Sequence, residues 1–466
     1  METKNYRIDV IMQAIARVVG GFLSFFAIFI LTYLFSESEL GEYNLVLSTV
    51  NIIASLGTLW LSQSVLRFYE EKENLGAVIL LVGVSALISI VAYAIFNFFA
   101  HQTNSLWAFA YILMLVLYNV FDAVFRRARR LKNYVFMELL LAVARVFPMI
   151  VLGLITKDYN SIFASQCLIM LLFFVILIFR NLKQLKGAKY KVTSGMLKQY
   201  LRFGIPLMGL AVSNWLLTTS DRYIIKFFGD NAEVGIYSTN YSLANSIYMM
   251  FSLIVVNAFH PIIMKEWDKS QERTLKLVSN TIDLYLLLMV PLTFYGCLKS
   301  DLLLSLFKGD MYASHSDIFS WTALGIFFYG LSLLYHKYYE LTEHTHMILL
   351  INIIAAVSNI VMNFVLIPKF GFGVAAFTTF LSYIIYIIVV RCLTFKKFKL
   401  SVNIRQAIIV FGTAIVFGIA DHFLMNRNSI LSFFVEGAIY VLYTALIYQL
   451  FKLIDFRNLK PLRSKM

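Results

Sequence analysis

Long runs of apolar residues, separated by short polar segments, follow one another along the whole chain. Most of these runs contain about 20 residues or more, the length that an α-helix needs to cross the hydrocarbon core of a bilayer. The pattern predicts fourteen membrane-spanning helices, and the polar segments are too short for an added soluble domain. The predicted spans are residues 10–34, 43–66, 76–99, 105–125, 134–155, 161–180, 202–226, 233–258, 279–298, 316–337, 346–367, 372–395, 404–425 and 431–452.

The composition agrees with a membrane protein. Of the 466 residues, 60% are hydrophobic and only 14% are charged, which leaves too little polar surface for a soluble protein of this length. A transmembrane β-barrel would show short segments of alternating polarity instead of long continuous runs. We therefore expect an all-α polytopic membrane protein.

The positive charge is distributed unevenly between the predicted connections. The chain has a formal net charge of +14, and most of its 40 Lys and Arg residues fall on the side that also receives both termini. Cytoplasmic loops are enriched in Lys and Arg, so both termini are expected in the cytoplasm. Topology and contact with anionic lipids then account for the basic charge, and no nucleic-acid partner is expected. The opposite side receives Lys157, Lys226, Lys299, Lys308, Lys369 and Arg427.

Three further arginines, Arg17, Arg145 and Arg222, lie within predicted spans. A charge in the middle of a membrane costs at least ~2.5–3.5 kcal/mol, so such residues usually face a water-filled cavity or a partner. Arg17 lies about two turns from the inner end and can snorkel to the interface, whereas Arg145 is near the middle of span five. Arg222 follows Asp221, which is a candidate partner. Cavity lining and structural pairing both remain open for these residues.

Polar residues also recur at three- or four-residue spacing within several spans, and so lie along one face of a helix. They either hold neighbouring helices together through modest hydrogen bonds or line a path for a polar substrate. Arginine suits phosphate and pyrophosphate because its fork of donors matches their geometry. The candidate substrate-binding residues are Arg17, Arg145, Arg222, Asp221, Gln13, Asn51, Asn214, Asn245 and Asn359.

An internal repeat appears when the sequence is shifted by 194 residues, so that 39–59 aligns with 233–253. The shared residues include a Glu-x-Gly-x-Tyr element, and the shift carries spans one and two onto spans seven and eight. Both copies therefore run in the same direction. We expect two parallel six-helix lobes, residues 1–200 and 201–400, followed by two extra helices and a cytoplasmic tail in 401–466. Parallel repeats of this kind are a transporter architecture with the substrate between the lobes.

No other pattern predicts catalysis or a metal site. Glu343-His344-Thr345-His346 lacks further nearby ligands, so no metal is expected. The pair Asp421-His422 resembles a proton-linked pair, but its position near the outer end of span thirteen favours a solvated loop edge. The sequence has no nucleotide-binding loop or nucleophile motif, so we expect no enzyme and no cofactor. Energy for transport would come from an ion gradient, the membrane potential or the substrate.

Three segments resemble elements of a known family. They are ELGEYNLVLS at residues 39–48, SDRYIIKFFG followed by EVGIYS at 220–238, and LIPKFGFGVAAF at 366–377. With the length and the fourteen predicted spans, these segments are similar to the polysaccharide-biosynthesis oligosaccharide flippases, the Wzx-type branch of the multidrug/oligosaccharidyl-lipid/polysaccharide exporter superfamily. The resemblance covers essentially the whole chain, and Asp221-Arg222 matches the Asp-Arg motif of the family.

Residues within and beside these segments are expected to start or end helices. Pro368 is expected to end span eleven because proline cannot continue a helix. Gly371 permits a tight turn before span twelve. Asp230 or Asn231 is expected to cap the start of span eight.

The resemblance implies a substrate, a location and partners. The substrate would be an undecaprenyl-pyrophosphate-linked oligosaccharide, moved from the inner to the outer leaflet of the bacterial cytoplasmic membrane by alternating access through a cationic central cavity. Further expected partners are membrane lipids, a polysaccharide polymerase and assembly proteins, and the protein is expected to be a monomer. The alternatives are a lipid II-type flippase, a drug/cation antiporter of the same superfamily and, from another class, a membrane-embedded polysaccharide polymerase or ligase. Such polymerases and ligases have a large outer loop, whereas the longest outer connection predicted here, about residues 299–315, is short.

Overall fold

The computed structural model describes residues 20–100, 106–127, 146–180, 191–308, 310–424 and 429–453. All regular secondary structure in these residues is helical, which confirms the predicted all-α class. The helices of this part of the chain are α1 Gly20–Leu34, α2 Glu37–Phe68, α3 Glu71–Ala100, α4 Leu106–Arg127, α5 Phe147–Thr156, α6 Asn160–Arg180, α7 Ser194–Phe228, α8 Asn231–Trp267, α9 Gln271–Leu298, α10 Ser300–Leu304, α11 Asp310–Ser314, α12 Ser316–Tyr335, α13 Lys337–Leu341, α14 Thr345–Phe370, α15 Val374–Thr394, α16 Ile404–Leu424 and α17 Ile430–Leu450.

The described residues contain eleven helical segments that are long and apolar enough to cross a membrane, as expected for a multi-pass membrane protein. Helices α1 and α5 are apolar but shorter over their described residues. Helix α7 is long enough, but polar residues interrupt its apolar run and it is not among the eleven. The number of fourteen spans therefore stays a prediction.

Several helices extend beyond the spans that hydropathy predicts. Helix α7 begins at Ser194 instead of residue 202, and α8 ends at Trp267 instead of residue 258. Apolarity sets the part of a helix that can lie in hydrocarbon, whereas backbone hydrogen bonds continue the helix into polar sequence. In the connection predicted for residues 299–315, the structure adds the short helices α10 and α11, which the sequence did not predict.

The expectation that Pro368 ends the eleventh span is wrong by two residues, because α14 continues to Phe370. The fixed φ angle of proline fits a helix, and the missing N–H removes one hydrogen bond near the end of the element. The helix stops at Gly371, whose φ of 82° lies in the left-handed region that glycine adopts without strain. Its N–H donates to the carbonyl of Ile367 at 2.9 Å.

The packing divides the chain into two compact units. The first unit, residues 1–246 and 346–375, contains α1–α7, the beginning of α8 and α14. Within it α2 packs against α3, α4 and α7. Phe163 joins Tyr43 and Tyr111 in an aromatic cluster, with ring centroids 5.2 Å and 5.6 Å apart. Buried aromatic side chains of this kind fix the spacing between helices.

The second unit, residues 247–345 and 376–466, contains the rest of α8, α9–α13 and α15–α17. Within it α9 packs against α12, α16 and α17. Tyr295 of α9 stacks on Tyr440 of α17 at a centroid distance of 5.5 Å. The two units reflect packing and not the internal repeat, so the lobe boundaries at residues 200 and 400 stay a prediction.

The repeated Glu-x-Gly-x-Tyr element starts two helices of the first unit in the same way. The hydroxyl of Ser36 accepts from the N–H of Glu39 at the start of α2, and Asp230 Oδ1 accepts from the N–H of Glu233 at the start of α8. The residues of each pair differ by the 194-residue shift. Each side chain satisfies a free N–H of the first helical turn. The expected cap of span eight is thus confirmed, and it is Asp230.

The glycine of each copy marks a close contact between α2 and α8. A Cβ added at Gly41 would meet the backbone carbonyl of Asn231, and one added at Gly235 would meet that of Glu37. Residues 37 and 231 are also related by the shift of 194, so the contact is reciprocal. A two-fold relation between the copies would produce this arrangement, and it places the first turns of α8 beside α2.

Candidate functional site

Asp221 of α7 is completely buried and held by polar side chains from two other helices. The hydroxyl of Tyr237 on α8 donates to Asp221 Oδ2 at 2.6 Å, and the amide of Asn363 on α14 donates to Oδ1 at 2.7 Å. Asn363 also donates to Asn359 Oδ1 at 3.2 Å. Neutral donors therefore replace much of the water that a carboxylate loses on burial.

Arg222 has different partners from its neighbour. Its Nε donates to the hydroxyl of Ser238 at 3.0 Å, and its guanidinium lies over the ring of Tyr241, 5.2 Å from the centroid. Successive helical residues point about 100° apart, so Asp221 and Arg222 reach different parts of α8 and α14. Among the described contacts no ion pair joins the two side chains, although the sequence made Asp221 a candidate partner of Arg222.

Contacts between α2 and α7 fix the position of the Asp-Arg pair. The hydroxyl of Tyr223, the next residue along α7, lies 2.6 Å from the hydroxyl of Thr49. About two turns earlier, Trp215 Nε1 donates to the backbone carbonyl of Ser48 at 3.2 Å. Both hydrogen bonds are partly buried, so breaking either would leave a polar group short of a partner. Together with the reciprocal glycine contact, they orient α7 and α8 around the pair.

The structure brings together some of the predicted residues and not others. Asp221, Arg222 and Asn359 lie in one buried cluster. Asn214 and Asn245 are half-buried on α7 and α8, and Asn51 of α2 is exposed. The remaining predictions fall outside the described residues; they are Gln13, Arg17 and Arg145.

Sequence reasoning did not name several residues that complete the cluster as candidate binding residues. Tyr237, Ser238 and Tyr241 lie within a little over one turn of α8, and Asn363 lies four residues after Asn359 on α14. The three- and four-residue spacing placed Tyr237, Tyr241 and Asn363 on polar helix faces, which was the available signal. Ser238 lacks even this signal, since a single serine in an apolar helix most often serves packing.

A second charged cluster lies in the second unit, where the sequence predicted a cytoplasmic loop. Lys337 is buried and its Nζ lies 2.6 Å from Glu340 Oε2 and 3.1 Å from His260 Nδ1. His336 Nε2 lies 2.9 Å from Glu340 Oε1, and its Nδ1 lies 2.7 Å from the hydroxyl of Tyr386. An ammonium group only donates, so His260 Nδ1 accepts and His260 is neutral in this arrangement.

Asp421 corrects another expectation. The sequence favoured a solvated loop edge, but the side chain of Asp421 is buried and pairs with Lys299, while His422 is exposed. The position near the end of a predicted span was therefore a poor guide to exposure, because packing of α16 against α9 covers that face.

A family model described as "Polysaccharide biosynthesis protein" matches residues 30–317, more than half of the chain. The chain belongs to the polysaccharide biosynthesis protein family. This membership confirms the family that the three sequence segments indicated. No curated protein sequence matches the chain.

Solved structures of transporters share the fold of this polysaccharide biosynthesis protein. The lipid II flippase MurJ in an inward closed conformation superposes with a TM-score of 0.77 at 15% identity, covering 96% of this chain and 100% of that chain. An inward-facing multidrug resistance MATE transporter gives 0.58 at 13% identity over 82% and 98%. A MOP superfamily transporter from Pyrococcus furiosus gives 0.52 at 12% identity over 84% and 96%. At these identities the similarity establishes the fold.

Proposed function

We propose that the protein is a lipid-linked oligosaccharide flippase, which moves undecaprenyl-pyrophosphate-linked glycan units from the inner to the outer leaflet by alternating access. The match to the polysaccharide biosynthesis family over residues 30–317 carries this proposal. The fold shared with a lipid II flippase supports it, because both proposed and known substrates are lipids with a polar head. The protein would be a monomeric transporter of the bacterial cytoplasmic membrane and not an enzyme.

The chemistry of the substrate fits the polar residues of the predicted spans. A glycan is polar and a pyrophosphate is anionic, so neither crosses hydrocarbon unaided. Arg17, Arg145 and Arg222 are the proposed cationic groups, with Arg145 nearest to the middle of its predicted span. The Nε of Arg222 is engaged by Ser238, so its two Nη groups would meet an anion. The undecaprenyl tail would stay in lipid during transport.

The proposal is tested by substituting Arg145 in protein reconstituted into vesicles with labelled undecaprenyl-pyrophosphate oligosaccharide. Arg145→Ala should abolish appearance of the label in the opposite leaflet, normalised to inserted protein. Arg145→Lys keeps the charge but loses the planar fork of donors, so it should retain only part of the activity. If Arg145 is instead half of a structural ion pair, alanine would chiefly lower the amount of folded protein.

If Arg145→Ala transports as much substrate per folded molecule as wild type, Arg145 is not a pyrophosphate ligand. If the wild-type protein itself moves no lipid-linked oligosaccharide, the proposed function is refuted.

The fold shared with MurJ favours one second candidate, a lipid II-type flippase. Labelled lipid II in the same vesicles separates the two, since the proposed function requires faster transport of the oligosaccharide substrate. Proton- or sodium-driven efflux of a cationic dye, without lipid transport, would instead indicate an antiporter.

A further inference from the structure

The connection between α15 and α16, residues 395–403, is fastened to the rest of the second unit by hydrogen bonds from its backbone. We call this connection the lysine loop. The N–H of Ser401 donates to the hydroxyl of Ser279 on α9 at 3.1 Å. Two residues later, the N–H of Asn403 donates to Asp283 Oδ1, also on α9, at 3.0 Å. The lysine loop therefore has a defined position against α9.

Two buried apolar side chains anchor the lysine loop and leave its lysines on the outside. Phe398 is 1% exposed and packs against Tyr338 of α13, with ring centroids 5.6 Å apart. Leu400 is buried as well, and Lys399 between the two anchors is exposed. The turn that ends α15 contributes residues 396–397, both of which are exposed lysines. Three ammonium groups are thus carried on an anchored backbone.

Exposed apolar side chains flank the three lysines at the ends of two membrane-spanning helices. Phe395, at the end of α15, is 63% exposed, and Ile404, at the start of α16, is 72% exposed. Ile408, one turn along α16, is 66% exposed. Both helices are long and apolar enough to cross a membrane, so these side chains are expected to face lipid. The lysines then lie where hydrocarbon meets the headgroups, the level at which lysine keeps its charge in water.

Positive charge predominates at this connection. Residues 391–405 contain five Lys or Arg residues and no Asp or Glu. The connection between α8 and α9 is different, since residues 265–276 contain four Lys or Arg and three Asp or Glu. Residues 454–466, outside the described part of the chain, contain four Lys or Arg and one Asp, so they add charge of the same sign wherever they lie.

We propose that the lysine loop is a binding site for the headgroups of anionic phospholipids. The lysine ammonium groups donate hydrogen bonds to the phosphate of the headgroup, and the acyl chains contact Phe395 and Ile404. A phospholipid supplies both the anionic and the apolar part, whereas an acidic protein segment supplies only the charge. The net charge of the chain predicts a general attraction to anionic lipid, and the anchored loop gives that attraction a place. The site does not depend on the proposed function.

The proposal is tested with a fluorescent probe on Cys392, an exposed native cysteine three residues before the lysine loop. Cys167 and Cys297 are first replaced by alanine in the full-length protein, which is labelled and reconstituted into phosphatidylcholine vesicles. Brominated phosphatidylglycerol or brominated phosphatidylcholine is then added, and each quenches the probe when it lies beside it. Because both leaflets contain the same lipids, the orientation of the protein in the vesicle does not affect the result.

Wild type should reach half quenching at a mole fraction of the anionic lipid at least about fivefold lower than that of phosphatidylcholine, the preference that one lysine near a membrane surface contributes. High salt should reduce this preference because it screens exposed charges. Lys396→Gln/Lys397→Gln/Lys399→Gln should abolish the preference and keep the Tm of wild type, since all three side chains are exposed. The corresponding triple arginine variant keeps the charge and should retain the preference.

The matched control removes the same number of charges from the connection between α8 and α9. Lys269→Gln/Arg273→Gln/Lys276→Gln changes three exposed side chains. Glu266 lies 3.8 Å from Lys269 and 3.9 Å from Arg273, so part of this positive charge is already neutralised. The control variant should keep the preference for phosphatidylglycerol.

Equal quenching of wild type by the two lipids would overturn the proposal and leave an acidic protein as the occupant of the lysine loop. A preference that survives in the triple glutamine variant would also overturn it, as would an equal loss in the control variant, because the lipid would then follow the charge of the whole protein. If the triple glutamine variant has a lowered Tm, the three single variants decide, and each should weaken the preference. The vesicles contain no oligosaccharide substrate, so the outcome is independent of the transport assay.

Discussion

Asp221 shows how a single residue can look functional and structural at the same time. Its carboxylate is buried, yet Tyr237 and Asn363 donate hydrogen bonds to both of its oxygens. Breaking such a bond leaves a buried acceptor short of a donor, which is more harmful than losing an average hydrogen bond. The cluster must therefore hold three helices together whatever it does in transport.

The stability of this cluster can be measured with a pair of identical substitutions. Tyr237→Phe removes the donor to Asp221 Oδ2 and should destabilise the protein by about 1–3 kcal/mol. Tyr93→Phe is the matched control, because Tyr93 is equally buried and its hydroxyl has no hydrogen-bond partner among the described residues. The control should be neutral or slightly stabilising. Thermal unfolding in detergent measures both, and equal effects of the two variants would contradict the role of the Tyr237 hydroxyl.

The sequence identified the charged residues of this site but did not predict which residues of other helices contact them. Two adjacent charges in an apolar run are rare enough to single out Asp221 and Arg222. Their partners come from α8 and α14, and which face of those helices meets α7 depends on packing between segments far apart in the chain. The same dependence explains why Asp421 looked like a loop residue and is a buried partner of Lys299.

At the scale of helices, the internal repeat has a physical meaning that the alignment alone did not show. Gly41 and Gly235 occupy equivalent positions in the two copies of the repeat. In the structure each glycine lies against a carbonyl of the other helix, so the absence of a side chain permits the close approach of α2 and α8. The repeat therefore preserves a helix contact as well as a sequence pattern.

This contact predicts the effect of adding one methyl group. Gly41→Ala and Gly235→Ala should each destabilise the protein by about 1–3 kcal/mol, because the new Cβ meets backbone atoms that cannot rotate away. The double variant should lose less than the two effects added together, since one separation of the helices relieves both clashes.

Gly83→Ala on α3 is the control for these substitutions. A Cβ at Gly83 would meet no atom within 4 Å, so alanine should stabilise the helix by about 0.5–1 kcal/mol. Thermal unfolding in the same detergent compares the two single variants, the double variant and Gly83→Ala with wild type. Wild-type stability of Gly41→Ala and Gly235→Ala would show that the helices separate without loss, and additive effects would show that the two contacts are independent.

Helix boundaries show where hydropathy stops being informative. The helical interiors follow from apolar runs of the length that spans a bilayer. The ends follow instead from local groups such as the Asp230 cap and the Gly371 turn, and the short helices α10 and α11 follow from packing in the second unit. Apolar content could not predict these features because they depend on single capping residues and on contacts between helices.

At the scale of the whole molecule, the evidence for orientation comes from charge. Membrane-spanning helices leave large apolar side chains exposed, and α17 exposes Leu431, Phe434 and Leu442, as expected for a surface that faces lipid. Such a surface is the same from either side of the membrane. The uneven distribution of Lys and Arg breaks this symmetry and predicts that both termini lie in the cytoplasm.

The topology prediction is tested by cysteine labelling in intact cells with a reagent that does not cross membranes. Cys167, Cys297 and Cys392 are first replaced, and single cysteines are then introduced by Ser38→Cys, Asn428→Cys and Asn181→Cys. Ser38, in the first turn of α2, has an exposed side chain, and the connection that contains it is acidic, so its cysteine should label from outside. Asn428→Cys should also label, whereas Asn181→Cys should label only after the cells are permeabilised, because it begins one of the most basic connections.

Equal protein amounts and full labelling in permeabilised cells control for expression and reactivity. Labelling of Asn181→Cys in intact cells would contradict the fourteen-span topology, since an odd number of spans between residues 38 and 181 places the two positions on opposite sides.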